Sequence, residues 1–507
     1  MKTPRGAFTL LFVTALAAAS TWWAWESGAH TQTLSIAVAG FEHDDEGRYA
    51  DLLAESVEAL PNVRVVRIPP LSRSSLHASD DAQPPDHESA RDRLRQAGAE
   101  TLIWGSVLRR GDVDRVRLNW TVTPDLAVAR DFGRYEPADD VSLPPLLWED
   151  LYPVLRLLVA TYAVDVRGQQ VQSAADTFFP FVVPVYDTLA QPAEGAWSAS
   201  AAARIAQVLA HALFRYAEQT EQAQLLEDAV ATYRDVLATH ARWRDPMTWA
   251  KAESHLGAAL AALGERRSDQ ARLEDAVNAF RAALWEQTPD HSPVDWVRTQ
   301  VNLGNALTAL GARRELAASL SHLEAAVAAY RAALTEETRE RMPLVWAAAQ
   351  HNLGNVLKAL AELNTDTTRM EEAVAAYHAA LTVETRRRMP LQWATVQSNL
   401  ASALARVGEA ESDPVRLKAA IKAYRAALQE RRRDHMPLAW AATQNNLGNA
   451  LRTLGQIESD TRPLEQAADA YTAALAEFTR AKSEPQIETT KRNLERTLKT
   501  LNARKQS

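Results

Sequence analysis

NLGNAL (Asn302–Leu307) is followed by LEAAVAAYRAAL (Leu323–Leu334), two apolar segments with helical rather than strand periodicity. In the second, Leu323, Ala326, Val327, Tyr330, Ala333 and Leu334 fall on one face at 3.6-residue spacing. The same pair of segments recurs outward in both directions. Trp249, Trp296, Trp346, Trp393 and Trp440 are separated by 47, 50, 47 and 47 residues. Leu226, Leu273, Leu323, Met370, Leu417 and Leu464 are separated by 47, 50, 47, 47 and 47. Two independent rulers give one period, so the chain is read as a repeat array. The single 50 comes from three extra residues between Gly311 and Leu323, which places the insertion in a loop and spares both helices.

Each unit reads as two antiparallel helices. The first begins at Pro246, Pro293, Pro343, Pro390 or Pro437, since the fixed φ and missing N–H of proline suit a first helical position. Asp245 and Ser292 are available as caps, and the helix around Trp296 is expected to run about 15 residues to Leu310, roughly 22 Å. Gly264, Gly311, Gly408 and Gly455 are expected to end these helices. Asp269, Asp366, Asp413 and Asp460 announce the second helices as N-caps.

These motifs resemble tetratricopeptide repeats in an extended form with a longer inter-helix loop. Leu303, Gly304, Leu307, Gly311, Ala326, Tyr330 and Ala333 match the small and large packing positions of that family in order. The resemblance covers residues 199–502 and implies an all-α superhelical array of six helix pairs plus a terminal helix near 486–501. Ala202 stands in place of the tryptophan in the first unit, as expected of an end repeat.

Upstream, TLSIAVAGF (33–41), GRYADLLAESVEAL (47–60) and VRVVRI (63–68) read as strand, helix and strand. A helix over 88–98 follows, then two β-rich runs, 101–108 and 113–122, flank a turn at Arg109–Asp112. A last strand near 126–132 and a helix over 143–163 complete a small α/β domain with a mixed sheet. AGAETLIWGSVLRRGDVDRVRLNWTV (97–122) resembles the TolB-like amino-terminal domain that precedes tetratricopeptide repeats in bacterial proteins, over 31–166. That family shares no catalytic residue, so none is implied. Residues 167–198, interrupted by Pro180, Pro184 and Pro192, read as a kinked helical connector. The expected organisation is therefore multi-domain: 1–30 targeting segment, 31–166 α/β domain, 167–198 connector and 199–502 array.

Lys2 and Arg5 precede twenty uncharged residues, 6–25. The short apolar run with small residues at 17–19 fits a cleavable signal peptide. Twenty helical residues also rise about 30 Å, enough to span a bilayer, and Trp22, Trp23 and Trp25 would sit at the far interface, which favours an uncleaved anchor. Either way residues beyond 30 are expected to be exported, facing the periplasm from an inner-membrane anchor or free in the periplasm after cleavage.

Composition narrows the function. Of 507 residues, 47% are hydrophobic and 24% charged, and there is no cysteine, which excludes disulfides, thiolate metal sites and cysteine nucleophiles. The net charge of −8 divides into 17 Lys+Arg against 27 Asp+Glu over 1–198 and 39 against 37 beyond. Neither part carries the basic excess that nucleic acid requires. The acidic run Glu42–Glu46 follows the first strand, where its carboxylates read as a solvated helix start rather than a cation site. No HExxH, GxSxG or Walker loop is present, so no catalytic residue, metal site or cofactor is assigned.

The expected function is a non-catalytic scaffold whose concave groove holds a protein or peptide partner and whose N-terminal segment meets the membrane. The alternatives are a ligand sensor, in which the α/β domain binds a small molecule and the array relays it, and an enzyme built on carboxylates. In the tetratricopeptide resemblance, Asn305, Asn355, Ser402 and Asn449 occupy one groove position, where an amide can hold a peptide backbone. Arg339, Arg341, Arg386, Arg387, Arg388, Arg431, Arg432 and Arg433 are expected to end equivalent second helices and, stacked in register, would make one basic edge able to meet an acidic protein or phospholipid headgroups. Placed at the helix ends, the same cations would complement the macrodipole. If residues 6–25 form an uncleaved span, the mature chain starts at or next to Met1 and resists extraction by salt and carbonate; amino-terminal sequencing that begins between Ser20 and His30, on soluble protein, excludes the anchor.

Overall fold

The computed structural model describes residues 34–41, 43–44, 47–58, 63–70, 87–99, 101–110, 113–122, 141–143, 199–220, 222–239, 242–243, 245–312, 316–387 and 389–506. The targeting segment, the strand expected at 126–132 and the connector lie outside them. Among the described residues, no helix is long and apolar enough to cross a membrane. The chain divides into two compact units, Met1–Asn302 and Leu303–Ser507, with the division inside one helix.

In the first unit, β1 (Leu34–Ala39), β2 (Val63–Ile68), β3 (Thr101–Arg110), β4 (Val113–Val122) and β5 (Val141–Leu143) form one sheet in the order β2-β1-β3-β4-β5. β1 is parallel to β2 and to β3, whereas β3/β4 and β4/β5 are antiparallel, so the sheet is mixed. Helix α1 (Arg48–Glu58) links β1 to β2, and α2 (His87–Ala97) precedes β3. The apolar face of α2 closes a core in which Ala37, Ala39, Ala90, Leu94, Leu102 and Trp104 meet. Two expectations change. The β3/β4 ladder continues to Arg110↔Val113, so Arg109 and Arg110 extend a strand instead of forming a turn. Residue 143 ends β5 instead of opening a helix. Asp44 explains part of the acidic run: its Oδ2 accepts from the backbone N–H groups of Tyr49 (3.0 Å) and Ala50 (3.1 Å) and so caps α1.

The first unit continues with pair one, α3 (Ala199–Thr220) and α4 (Ala223–Thr239), and pair two, α5 (Pro246–Arg267) and α6 (Gln270–Ala283). Pair three is α7 (Pro293–Gly311), which crosses into the second unit, and α8 (Leu316–Ala333). A short helix α9 (Glu336–Arg341) follows. Pairs four, five and six are α10 (Pro343–Asn364) with α11 (Thr367–Leu381), α12 (Pro390–Ala410) with α13 (Pro414–Glu430), and α14 (Pro437–Glu458) with α15 (Thr461–Arg480). The last helix is α16 (Glu484–Gln506). The described residues thus form a repeat array of paired helices.

The prolines begin the first helices as the sequence predicts, and Asp245, Asp269, Asp366, Asp413 and Asp460 each accept hydrogen bonds from first-turn N–H groups. Ser292 does not cap, for its hydroxyl has no hydrogen-bond partner. The first helices are also longer than expected, 22 residues in α5, α10 and α14. Gly264, Gly408 and Gly455 lie inside them; only Gly311 ends its helix. Packing is the reason. A Cβ at Gly264, Gly311, Gly408 or Gly455 would stand 2.7–2.9 Å from the leucine that opens the second helix, so these glycines permit close approach. The left-handed residue that ends or follows the helix is instead Ser268, Thr365, Ser412 or Ser459, with φ of 52–56°.

A second glycine column seats the aromatic residue of the partner helix. A Cβ at Gly304, Gly354 or Gly448 would come within 2.7 Å of the ring of Tyr330, Tyr377 or Tyr471, all buried. The tryptophans are less uniform than their spacing suggests. Trp346 is 8% exposed, while Trp249, Trp296, Trp393 and Trp440 are half-buried. Trp346→Ala is therefore expected to cost about 3–5 kcal/mol and Trp393→Ala distinctly less, read by denaturant melts of the two variants. Equal losses would contradict this difference in burial.

Candidate functional site

The sequence places Asn305, Asn355, Ser402 and Asn449 at one position of successive first helices, one residue after the packing glycine in three of the four units. The structure gives all four the same partner type. Tyr330 Oη donates to Asn305 Oδ1 (2.6 Å), Tyr377 Oη to Asn355 Oδ1 (2.8 Å) and Tyr471 Oη to Asn449 Oδ1 (2.7 Å), and Tyr424 hydrogen-bonds Ser402. Burial pushes the phenols of Tyr377, Tyr424 and Tyr471 up, so they stay neutral donors.

The same oxygens also join consecutive units. Asn352 Nδ2 donates to Asn305 Oδ1 (3.0 Å), Asn399 Nδ2 to Asn355 Oδ1 (3.0 Å) and Asn493 Nδ2 to Asn449 Oδ1 (3.2 Å). Each of these carbonyl oxygens thus accepts twice, which fixes the rotation of the amide about its last torsion. For Asn355 and Asn449 the Nδ2 group, held opposite that oxygen, makes no hydrogen bond among the described residues. Three residues further along each helix, on the same face, stand Lys358 and Arg452. Lys358 pairs with Glu362 at 3.1 Å, and Arg452 lies beside the Tyr471 hydroxyl.

Spacing alone hid part of this network. His351 is buried, and its Nε2 lies 3.0 Å from Asn399 Nδ2. Burial holds its pKa down at about 4, so the neutral ring accepts that donor. His211 and His255, 44 residues apart, bring their rings to 5.1 Å, with Tyr233 5.6 Å from His255. Among the described residues, no group of three or more His, Cys, Asp or Glu is gathered to hold a metal ion.

The arginine series lies in the connectors beyond the second helices, not in their last turns. Arg339 sits 5.0 Å over the Trp346 ring and 3.5 Å from Glu336, and Arg341 pairs with Glu337 at 3.2 Å. Arg386 lies 5.7 Å over Trp393 and bonds Glu430 at 2.5 Å; Arg433 lies 5.3 Å over Trp440 and bonds Glu477 at 2.5 Å. In the first unit, Arg242 repeats the arrangement with Trp249 (5.3 Å) and Glu286 (2.5 Å). The cation thus spans three elements: the connector after one helix pair, the tryptophan of the next and an acid in the last turn of that next pair (Glu430, Glu477) or just beyond it (Glu286). A signal was present, since arginine precedes tryptophan by seven residues and the acid follows arginine by 44 in all three cases.

The remaining members divide. Arg431 donates to Thr395 Oγ1 and Thr443 Oγ1, both at 3.0 Å, with burial pulling its pKa down. Arg432 pairs with Asp434 (2.9 Å). Arg387 is exposed without an ion pair among the described residues, and Arg388 lies outside them. Most of the expected basic edge is thus engaged within the array.

No family model matches the chain, and no curated protein does. Solved structures with some likeness are helical-repeat proteins. A Rap protein complexed with competence and sporulation factor is 14% identical over 71% of this chain and 88% of its own, with a TM-score of 0.37. The C-terminal part of a TPR repeat-containing protein from Cytophaga hutchinsonii is 11% identical over 55% and 99%, at 0.26. The TPR2AB-domain:pHSP90 complex of yeast Sti1 is 15% identical over 57% and 98%, at 0.20. All three TM-scores lie below 0.5, and no residue role is taken from them.

Glu384, in the connector after α11, is wholly buried with no hydrogen bond to either carboxylate oxygen. Burial pushes its pKa up to about 8 from an ordinary 4.5. Between those values the folded chain keeps a proton that the unfolded chain has released, so this contribution to stability is complete below about 4.5 and lost as the pH rises through about 8. Melting temperatures measured from about pH 5 to about pH 8.5 should fall more steeply for the natural chain than for Glu384→Gln. Parallel curves would show that Glu384 is ionised throughout.

Proposed function

We propose that the chain is a protein-binding scaffold whose first-helix face, centred on Asn355 and Asn449, receives the backbone of a partner segment. The observation that carries this reading is the pair of amide groups whose oxygens are held by two donors each while their Nδ2 groups have no partner among the described residues. A donor fixed in place before binding loses little rotamer freedom when it meets a peptide carbonyl. Lys358 and Arg452 add positive charge on the same helical faces, which suits carbonyl and carboxylate groups. Export, with residues 6–25 holding the scaffold to a membrane, belongs to the same proposal and is supported by the charge and apolar pattern of those residues alone.

The geometry dictates which substitution tests the face. Alanine would remove both array bonds along with the donor. Aspartate keeps an acceptor oxygen for tyrosine and the neighbouring asparagine, and replaces the NH₂ donor by a second, anionic oxygen that cannot donate to a peptide carbonyl. Asn355→Asp with Asn449→Asp should therefore weaken a co-purified partner by about 5-fold to 150-fold, the loss of two neutral hydrogen bonds at about 0.5–1.5 kcal/mol each. The melting temperature should stay near that of the natural chain. Titration calorimetry with unchanged affinity at unchanged melting temperature removes this face from the function.

A further inference from the structure

The second helices are joined by a charge pattern of their own. The residue after the opening leucine or methionine is Glu227, Glu274, Glu324, Glu371, Lys418 and Glu465 in pairs one to six. Where the residue before that opening position in the next pair is arginine, it meets this glutamate: Arg272–Glu227 at 3.4 Å, Arg369–Glu324 at 2.7 Å and Arg416–Glu371 at 2.6 Å. At the junction of pairs five and six both partners change. Lys418 stands where glutamate is the rule, and Pro463 where arginine reaches across.

A second rung, an ion pair at two of the other junctions and replaced by Ala325 and Ala419 at the remaining two, is neutral at this one. Arg234 pairs with Asp275 at 3.5 Å and Arg331 with Glu372 at 2.6 Å, but the equivalent Arg425 meets the neutral Gln466 at 2.9 Å. Lys422, one turn after Lys418, occupies a position held by alanine in pairs one, three and four, and has no ion pair among the described residues. Lys418 turns to Glu458 (2.7 Å), so three cations face one acid.

The same substitutions open space. Without a long side chain at 463, a depression of about 450 Å³ lies between α13, α14 and the start of α15, bordered by Lys418, Lys422, Arg425 and Pro463. Its floor is Ile421, Leu451 and Leu454, which belong to the core between the two pairs. An apolar floor under a cationic rim is a site for an apolar group attached to an anion.

We propose that this junction binds an acidic peptide segment, one aliphatic side chain of which enters the depression while its carboxylates meet Lys422 and Arg425. The inference rests on the scaffold reading, since it names the chemistry of a partner, but it uses the second-helix face and none of the asparagines. Charge complementarity selects the occupant: a basic segment would be repelled by the rim, and an uncharged one would leave Lys422 and Arg425 without counter-charge. The repeat rule also makes the site local, because the other junctions with an arginine before the opening residue fill the same place with an Arg–Glu pair.

The test uses the full chain and a fluorescein-labelled twelve-residue peptide of alternating glutamate and leucine, with a lysine–leucine peptide of equal length as control. Anisotropy at low salt should show binding of the acidic peptide only, weakened by added salt. Lys418→Glu with Pro463→Arg rebuilds the pair found at 371 and 416, so it should fold, and it should lower affinity about tenfold or more. Lys422→Ala, an exposed change, should lower it several-fold and decides the matter if the double variant does not fold. Asn355→Asp with Asn449→Asp should leave this affinity unchanged. Equal affinity in the rebuilt and Lys422→Ala variants, or no binding by the natural chain up to about 1 mM peptide, overturns the pocket. Loss in the asparagine variant alone moves the acidic peptide to the first-helix face, which removes the pocket and keeps the scaffold.

Discussion

In three of the last four helix pairs, one oxygen atom ties the pair to the helix that follows it. Asn355 Oδ1 accepts from Tyr377 across its own helix pair and from Asn399 in the next, and Asn305 and Asn449 repeat the arrangement. In these three units one edge of the tyrosine ring packs against a glycine one residue earlier, where a methyl group would come within 2.7 Å of it; in the fourth, Ala401 takes the glycine's place and Tyr424 still hydrogen-bonds Ser402. The NLGN motif therefore couples two demands: van der Waals approach within a pair, and registration between pairs. A stack built by apolar contact alone can slide, whereas a shared acceptor with two donors has one satisfied position.

This coupling explains which features were legible in the sequence. Period, helix pairing, proline starts and aspartate caps depend on neighbours within a turn or two, and each leaves a local mark at Pro246, Asp269 or Asp413. The role of Gly264 does not. A glycine near an apparent helix end reads locally as a carboxyl cap, but its constraint comes from Leu273 on the other helix, and the helix continues to Arg267. The turn is then made by Ser268 in the left-handed conformation, a residue type that sequence rules rank behind glycine and asparagine there.

The candidate site was half legible for the same reason. The column of Asn305, Asn355, Ser402 and Asn449 follows from the repeat, but which end of each amide faces the array depends on the tyrosines and on the next unit. The arginine series failed differently. Its charge is visible in sequence, yet the partners Glu286, Glu430 and Glu477 lie 44 residues downstream and the tryptophans lie between. Sequence reading credits such residues to a free surface, and the structure assigns Arg386 and Arg433 to joints between units.

Repetition also changes what a departure means. In a non-repeating protein, one lysine, one proline and one glutamine on a helical surface carry no information, since exposed positions tolerate most polar residues. In an array the other units act as internal controls with the same backbone and neighbours. Lys418, Pro463 and Gln466 replace residues that elsewhere pair across a junction, and they do so at one junction together. Loss of a single exposed ion pair costs at most about 1 kcal/mol, which is small enough for a unit to give up. What is gained is surface that the other pairs cover: an apolar floor and cations released from their counter-charges. Stability in the array thus comes from the residues that obey the repeat, and its capacity for selective recognition from the few that break it.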